Sequence, residues 1–177
     1  VSTFDDMSFV QLLVNKGTDA VDSLPENLKR NPRLVAELIQ NNVRRLIVDE
    51  RPINPKYFDK MSELLDALVE KLRQDAIDYR EYLKEVAELA AKVADPNLGG
   101  NYPSTIDTSL KRALFDYLGD EIMAMQVYDA VRSSAQDGWK ANRMKMRKVH
   151  KAVKNALGEL VVDVRELIEL IKSNGEL

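Results

Sequence analysis

PKYFDKMSELLDALVEKLRQDAIDYREYLKEVAELAAKV, residues 55–93, decides the fold class. Apolar side chains recur at Phe58, Met61, Leu65, Leu68, Leu72, Ala76, Tyr79, Leu83, Val86, Ala90 and Val93, three or four positions apart. That spacing lines one face of an α-helix. It is heptad-like with one extra step near Leu72. Neither Gly nor Pro interrupts the run from Lys56 to Ala94, and Glu70–Arg73, Glu81–Lys84 and Glu88–Lys92 are spaced as supporting ion pairs. The pattern predicts one unusually long helix over about 55–94, a rod of about 57 Å at 1.5 Å per residue. Such a rod is expected to project, to brace something else, or to bend at the extra step.

Working outward, NPRLVAELIQNNVRRLI (31–47) predicts a second helix. Asn31 is its N-cap and Pro32 its first helical residue, where a missing N–H costs nothing. Leu34, Val35, Leu38, Ile39, Val43, Leu46 and Ile47 form its apolar stripe, and Pro52 and Pro55 break the chain after it. A shorter helix is expected around Asp5–Val14, capped by Ser2 or Thr3 and closed by Gly17, with a turn at Ser23-Leu24-Pro25. Downstream, DPNLGGNYPST (95–105) reads as a linker. Helices are then expected over Thr108–Leu118, Asp120–Ala135 and Asn142–Leu157, and over Glu159–Lys172, which continues the preceding one if Gly158 is crossed. VVDV (161–164) comes nearest to a strand, and its neighbours keep helical spacing. The expectation is all-α: a helical bundle with one long helix, then a second group of helices after a Gly/Pro linker. The expected domains are 1–94 and 108–177 around a linker at 95–107, with one continuous domain over 1–177 as the alternative.

Composition agrees with a folded chain. Of 177 residues, 45% are hydrophobic and 31% charged, outside the range of disordered sequences. With no Cys, disulfides and thiolate metal sites are excluded. No apolar run of about 18 residues exists, so a water-soluble, cytoplasmic protein without a membrane partner is expected. The sequence opens on Val1 and reads as a piece of a longer polypeptide.

Catalytic signatures are missing. There is no G-x-x-x-x-G-K-[ST] loop to cradle ATP phosphates, and no [DE]-x-K triplet at any lysine, as the common nuclease folds require. H-E-x-x-H is impossible with a single His. Asp49-Glu50 and Asp5-Asp6 are acidic pairs, but neighbours on a helix point about 100° apart, so they read as exposed charges. No catalytic residue and no metal site is expected.

DGWKANRMKMRKVHKAVK (137–154) stands apart. Seven Lys or Arg face one acid, Asp137, giving +6, so a total of −3 leaves −9 for the rest. On a helical wheel Met146, Val149, Val153, Leu157, Leu160 and Val164 share a buried stripe. Arg143, Arg147, Lys151 and Lys154 share a second, offset by roughly a quarter to a third of a turn. Lys148 lies further round. Lys140, Arg143, Arg147, Lys151, Lys154 and Trp139 are therefore the candidate contact residues for nucleic acid or a protein partner. Plain solvation, phosphate contact and docking on an acidic protein surface all remain open. Trp139 reads as a core plug between helices before a stacking platform. His150, at the edge of the apolar face, has no second ligand near it.

Two blocks carry a family resemblance. NNVRRLIVDERPINPKYFDKMSELLDAL (41–68) and ALFDYLGDEIMAMQVYDAVRSSAQDGWKANRMKMRKVHKAVK (113–154), the latter with D-G-W before a basic helix, resemble the C-terminal region of the R (motor and endonuclease) subunit of type I restriction–modification enzymes. Residues 1–30 and 95–107 carry it weakly, and the tail after Leu157 is not distinctive. The resemblance implies a parent that is an ATP-dependent type I site-specific deoxyribonuclease, with its nuclease and two translocase lobes upstream. ATP and Mg²⁺ would be that parent's cofactors, with none in this fragment. It implies for this region a non-catalytic scaffold that braces the motor and attaches it to the methyltransferase and specificity subunits. Contact with the duplex DNA backbone is the alternative role.

Overall fold

A computed structural model describes residues 6–24 and 26–177 of the chain. These form ten α-helices and no strand, so the all-helical expectation holds among the described residues. The helices are α1 (Asp6–Lys16), α2 (Glu26–Lys29), α3 (Pro32–Glu50), α4 (Pro55–Arg73), α5 (Tyr79–Ala94), α6 (Pro96–Gly99), α7 (Ser109–Leu118), α8 (Glu121–Ser134), α9 (Arg143–Leu157) and α10 (Val164–Asn174). None of the described helices is long and apolar enough to cross a membrane. The expected caps at Ser2 and Thr3, and Pro25 of the expected turn, lie outside the described residues.

The stretch at 55–94 is not one rod. A long helix is present, α4 of 19 residues, but it ends at Arg73, and α5 begins at Tyr79. The stop has two parts. Asp75 adopts φ 55°, while the Ala76 N–H donates to the Lys71 carbonyl at 2.8 Å and the Asp75 N–H to that of Leu72 at 3.2 Å. Those two bonds make a Schellman cap, with an aspartate in the left-handed position that glycine more often fills. Three residues on, the Asp78 carboxylate accepts from the Glu81 N–H at 2.7 Å and starts α5 as its N-cap. Both interactions satisfy backbone groups that an unbroken helix would have satisfied itself. The bend at the extra step is thus the outcome. The exceptions to the expected stripe cluster there: Leu72 and Tyr79 are half-buried and Ala76 is exposed, whereas Phe58, Met61, Leu65, Leu68, Leu83, Val86, Ala90 and Val93 are buried.

The chain divides into two compact units, one running to Glu50 and resuming over Phe58–Asn101, the other formed by Arg51–Tyr57 with Tyr102–Leu177. In the first, α1 and α3 pack on α5 and on each other. Asn31 caps α3 as expected, its side chain accepting from the Leu34 N–H at 3.3 Å. Val35, Ile39, Val43, Leu46 and Ile47 are buried, but Leu34 is exposed and Leu38 half-buried. Tyr82, also buried, donates its hydroxyl to the Ala36 carbonyl at 3.3 Å.

In the second unit α7 packs on α8, α8 on α9, and α10 on α7 and α9. Each helix has a side-chain cap: Thr108 for α7, Asp120 for α8, Asn142 for α9 and Asp163 for α10. The last helix does not continue α9. Gly158 at φ 60° ends α9, and Asp163 starts α10 by accepting from the Glu166 N–H at 3.1 Å. Leu160 and Val161 lie between them, exposed, so Leu160 does not belong to the buried stripe of α9.

Residues 51–57 join this unit through polar contacts. Asn54, buried, donates its side-chain amide to Asp116 at 2.7 Å and accepts from the Tyr57 N–H at 3.3 Å, capping α4. Tyr102 donates its hydroxyl to the same Asp116 carboxylate at 2.6 Å. Burial, and then that hydrogen bond, push the Tyr102 phenol well above its usual range. Asn174 donates to the Ile53 carbonyl at 2.8 Å and to the Ser109 hydroxyl at 3.1 Å.

Removing Asp116 leaves two part-buried donors unpaired. Asp116→Ala is expected to cost about 1.5–3 kcal/mol in urea unfolding, and Tyr102→Phe less; equal stability of D116A and wild type would contradict this. Tyr82 supplies a pH test. Burial, then the neighbouring Tyr79, raise its phenol from 10.0 to about 12. The folded state therefore favours the neutral phenol. Its contribution is complete below the unfolded pKa near 10 and is lost as pH rises through about 12. Tyr82→Phe is expected to flatten the fall in stability across that window while costing about 0.5–1.5 kcal/mol at neutral pH for the lost hydrogen bond.

Candidate docking surface on the basic helix

The surface is built from the D-G-W turn upward. Gly138 sits at φ 72°, a left-handed position that a side chain would strain. This reversal turns Trp139 inward to 4% exposure, into the same buried cluster as Val127, Val131, Val149 and Val153. Trp139 is therefore a core plug, and as a candidate contact residue it is corrected: its ring is not offered as a stacking surface. The Asn142 side chain then accepts from the Lys145 N–H at 3.0 Å and starts α9. Lys145 spends its charge on the turn, donating to the Asp137 carbonyl at 2.6 Å.

Once α9 is pinned by Val149, Val153 and Leu157, all buried, its other face is set. Arg143, Arg147, Lys148, Lys151 and Lys154 are exposed. Lys140 stands apart, half-buried, its ammonium 5.8 Å from the Trp139 ring centroid. It lines an open groove of about 480 Å³ with Trp139, Arg132 and Gln136. The structure thus gathers Arg143, Arg147, Lys151 and Lys154 on one face and leaves Lys140 and Trp139 off it. His150 is half-buried. Among the described residues, no three His, Asp or Glu converge as metal ligands would.

Two members of the face lie outside the candidate set: Lys148, which the helical wheel placed further round, is exposed like the others, and Met144 is 75% exposed. Their signal was positional: Met144 falls off the Val149–Val153–Leu157 stripe and stands three and four residues before Arg147 and Lys148.

The face is electrostatically costly. Arg143–Leu157 contains no Asp or Glu. Arg143–Arg147 and Arg147–Lys151 are like-charge pairs at i,i+4, each costing about 0.2–0.5 kcal/mol. Arg143 and Lys145 also lie in the first turn, at the positive end of the helix dipole, where cations are disfavoured by about 0.3–1 kcal/mol. A face kept only for solubility would carry mixed charges and avoid these costs.

No protein-family model matches the chain, and neither does any curated protein or solved structure.

Arg143→Glu reverses the dipole contact and turns the 143–147 repulsion into attraction. It is expected to stabilise the chain by about 1 kcal/mol in urea unfolding followed by Trp139 emission. Destabilisation would contradict the unfavourable placement of Arg143.

Proposed function

We propose that the chain is the non-catalytic C-terminal helical domain of the R subunit of a type I restriction–modification enzyme. In this role it braces the ATP-driven translocase and endonuclease and attaches them to the methyltransferase–specificity core. The observation that carries the reading is the geometry of the block with the D-G-W signature: a buried Trp139 fixes a helix whose five exposed cations all face away from the core. That is what an adhesive surface needs, a charged face held by a rigid support. Bracing falls to two helices of 19 and 16 residues that meet at the Asp75–Asp78 turn, in place of one strut. ATP, Mg²⁺ and bond breaking are assigned to polypeptide outside these residues, since the sequence offers neither a phosphate loop nor a [DE]-x-K triplet for them. On this reading the folded chain should be captured by the methyltransferase–specificity complex at micromolar concentration; a folded chain that fails to associate contradicts it.

A second reading rests on the same cations, which form no ion pair within α9: a grip on the duplex DNA backbone without sequence readout. Each phosphate neutralised would add about 0.9 to the slope of log K against log salt. Replacing Arg143, Arg147, Lys151 and Lys154 by Glu would then lower DNA affinity and flatten that slope, and unchanged binding removes the reading.

A further inference from the structure

We infer that the outward stripe of α9 that begins at Met144 and continues through Arg147, Lys148 and Lys151 docks on a protein whose surface presents carboxylates beside an apolar seat. The inference rests on the attachment reading and names the surface and the partner chemistry.

The four residues stand at i, i+3, i+4 and i+7, so they are neighbours on one helix face, along about 10 Å of it. All four are exposed. The spacing is that of a helix face read by a protein partner, with Met144 as its one apolar anchor and the cations as its rim. Charge sets the sign of the partner: three cations without an acid anywhere on the helix call for a carboxylate-rich counterpart. Met144 sets its class. A thioether side chain left 75% in water in the midst of these cations gains nothing from a phosphodiester backbone, whose contacts are ionic and polar. Met144 and Arg147 are of types enriched at protein interfaces, Lys148 and Lys151 suit the polar rim of one, and Met adapts to an irregular apolar seat. Trp139, the aromatic that a single-stranded nucleic acid would need, is buried. The stripe therefore fits an acidic protein surface better than a nucleic acid.

The test uses the whole 177-residue chain. Its affinity for the purified methyltransferase–specificity complex is measured for wild type, Met144→Ala and the pair Arg147→Glu with Lys151→Glu, with thermal unfolding as the control for folding. A duplex oligonucleotide is titrated in parallel, and sedimentation of the chain alone reports self-association. Met144→Ala is expected to weaken capture about tenfold, and the charge reversal to abolish it, with folding intact. Capture that survives both changes overturns the inference and leaves the attachment reading standing. A folded wild-type chain that is not captured sinks both. Duplex binding that falls with the charge reversal but ignores Met144→Ala, with capture unaffected, replaces the protein partner by phosphate. Self-association that Met144→Ala abolishes replaces it by a second copy.

Discussion

The second unit hangs on the burial of one indole. Trp139 is the only Trp in the chain, and it can reach the core only because Gly138 reverses the backbone immediately before it. A ring of that size dominates the apolar area around it, which ties α8 to α9 at their connection. With the connection fixed, the rotation of α9 about its own axis is fixed by Val149, Val153 and Leu157. The direction of its cations then follows without further interactions. The basic face is a consequence of the packing on the other side.

Polar contacts do a different job in the same unit. Asp116 gathers Asn54 and Tyr102, and Asn174 reaches the Ile53 carbonyl, so the segment 51–57, which leads into α4, is held by hydrogen bonds made from far along the sequence. Such bonds contribute modestly when made and are costly to leave unmade once buried. They specify where this segment lies more than they stabilise it. The same logic runs through the helix ends: Asp78, Thr108, Asp120, Asn142 and Asp163 each accept from a backbone N–H that would otherwise lack a partner.

Local features were legible in the sequence because their causes are local. Asn31-Pro32, Thr108, Asp120 and Asn142 start helices where short-range chemistry says they should, and the spacing of Val149, Val153 and Leu157 identified the inner face of α9. The break at 74–78 was half legible: the extra step near Leu72 offered a bend as one outcome, but three- and four-residue spacing continues across the turn itself. Periodicity reports a face and is blind to a turn that preserves the count. The Asp78-x-x-Glu81 pair was the available sign of a new start, and Asp75, a tolerated left-handed residue, gave no warning of the stop. The allegiance of 51–57 was illegible for another reason: Asn54 finds Asp116 sixty-two positions on, and no local pattern encodes that. On the candidate surface, charge drew the eye to Arg143, Arg147, Lys151 and Lys154. Met144 was invisible until burial showed that an apolar residue had been left outside.

The basic face depends on an indole that is sealed in the core and orients α9. Because Trp139 is alone in the chain, its fluorescence answers without ambiguity. Steady-state emission with acrylamide and iodide titration of the native protein is the measurement. The expected result is a blue-shifted emission that iodide scarcely quenches and that moves red only on unfolding. Native emission like that of free tryptophan in water, quenched by iodide to the same degree, would contradict it.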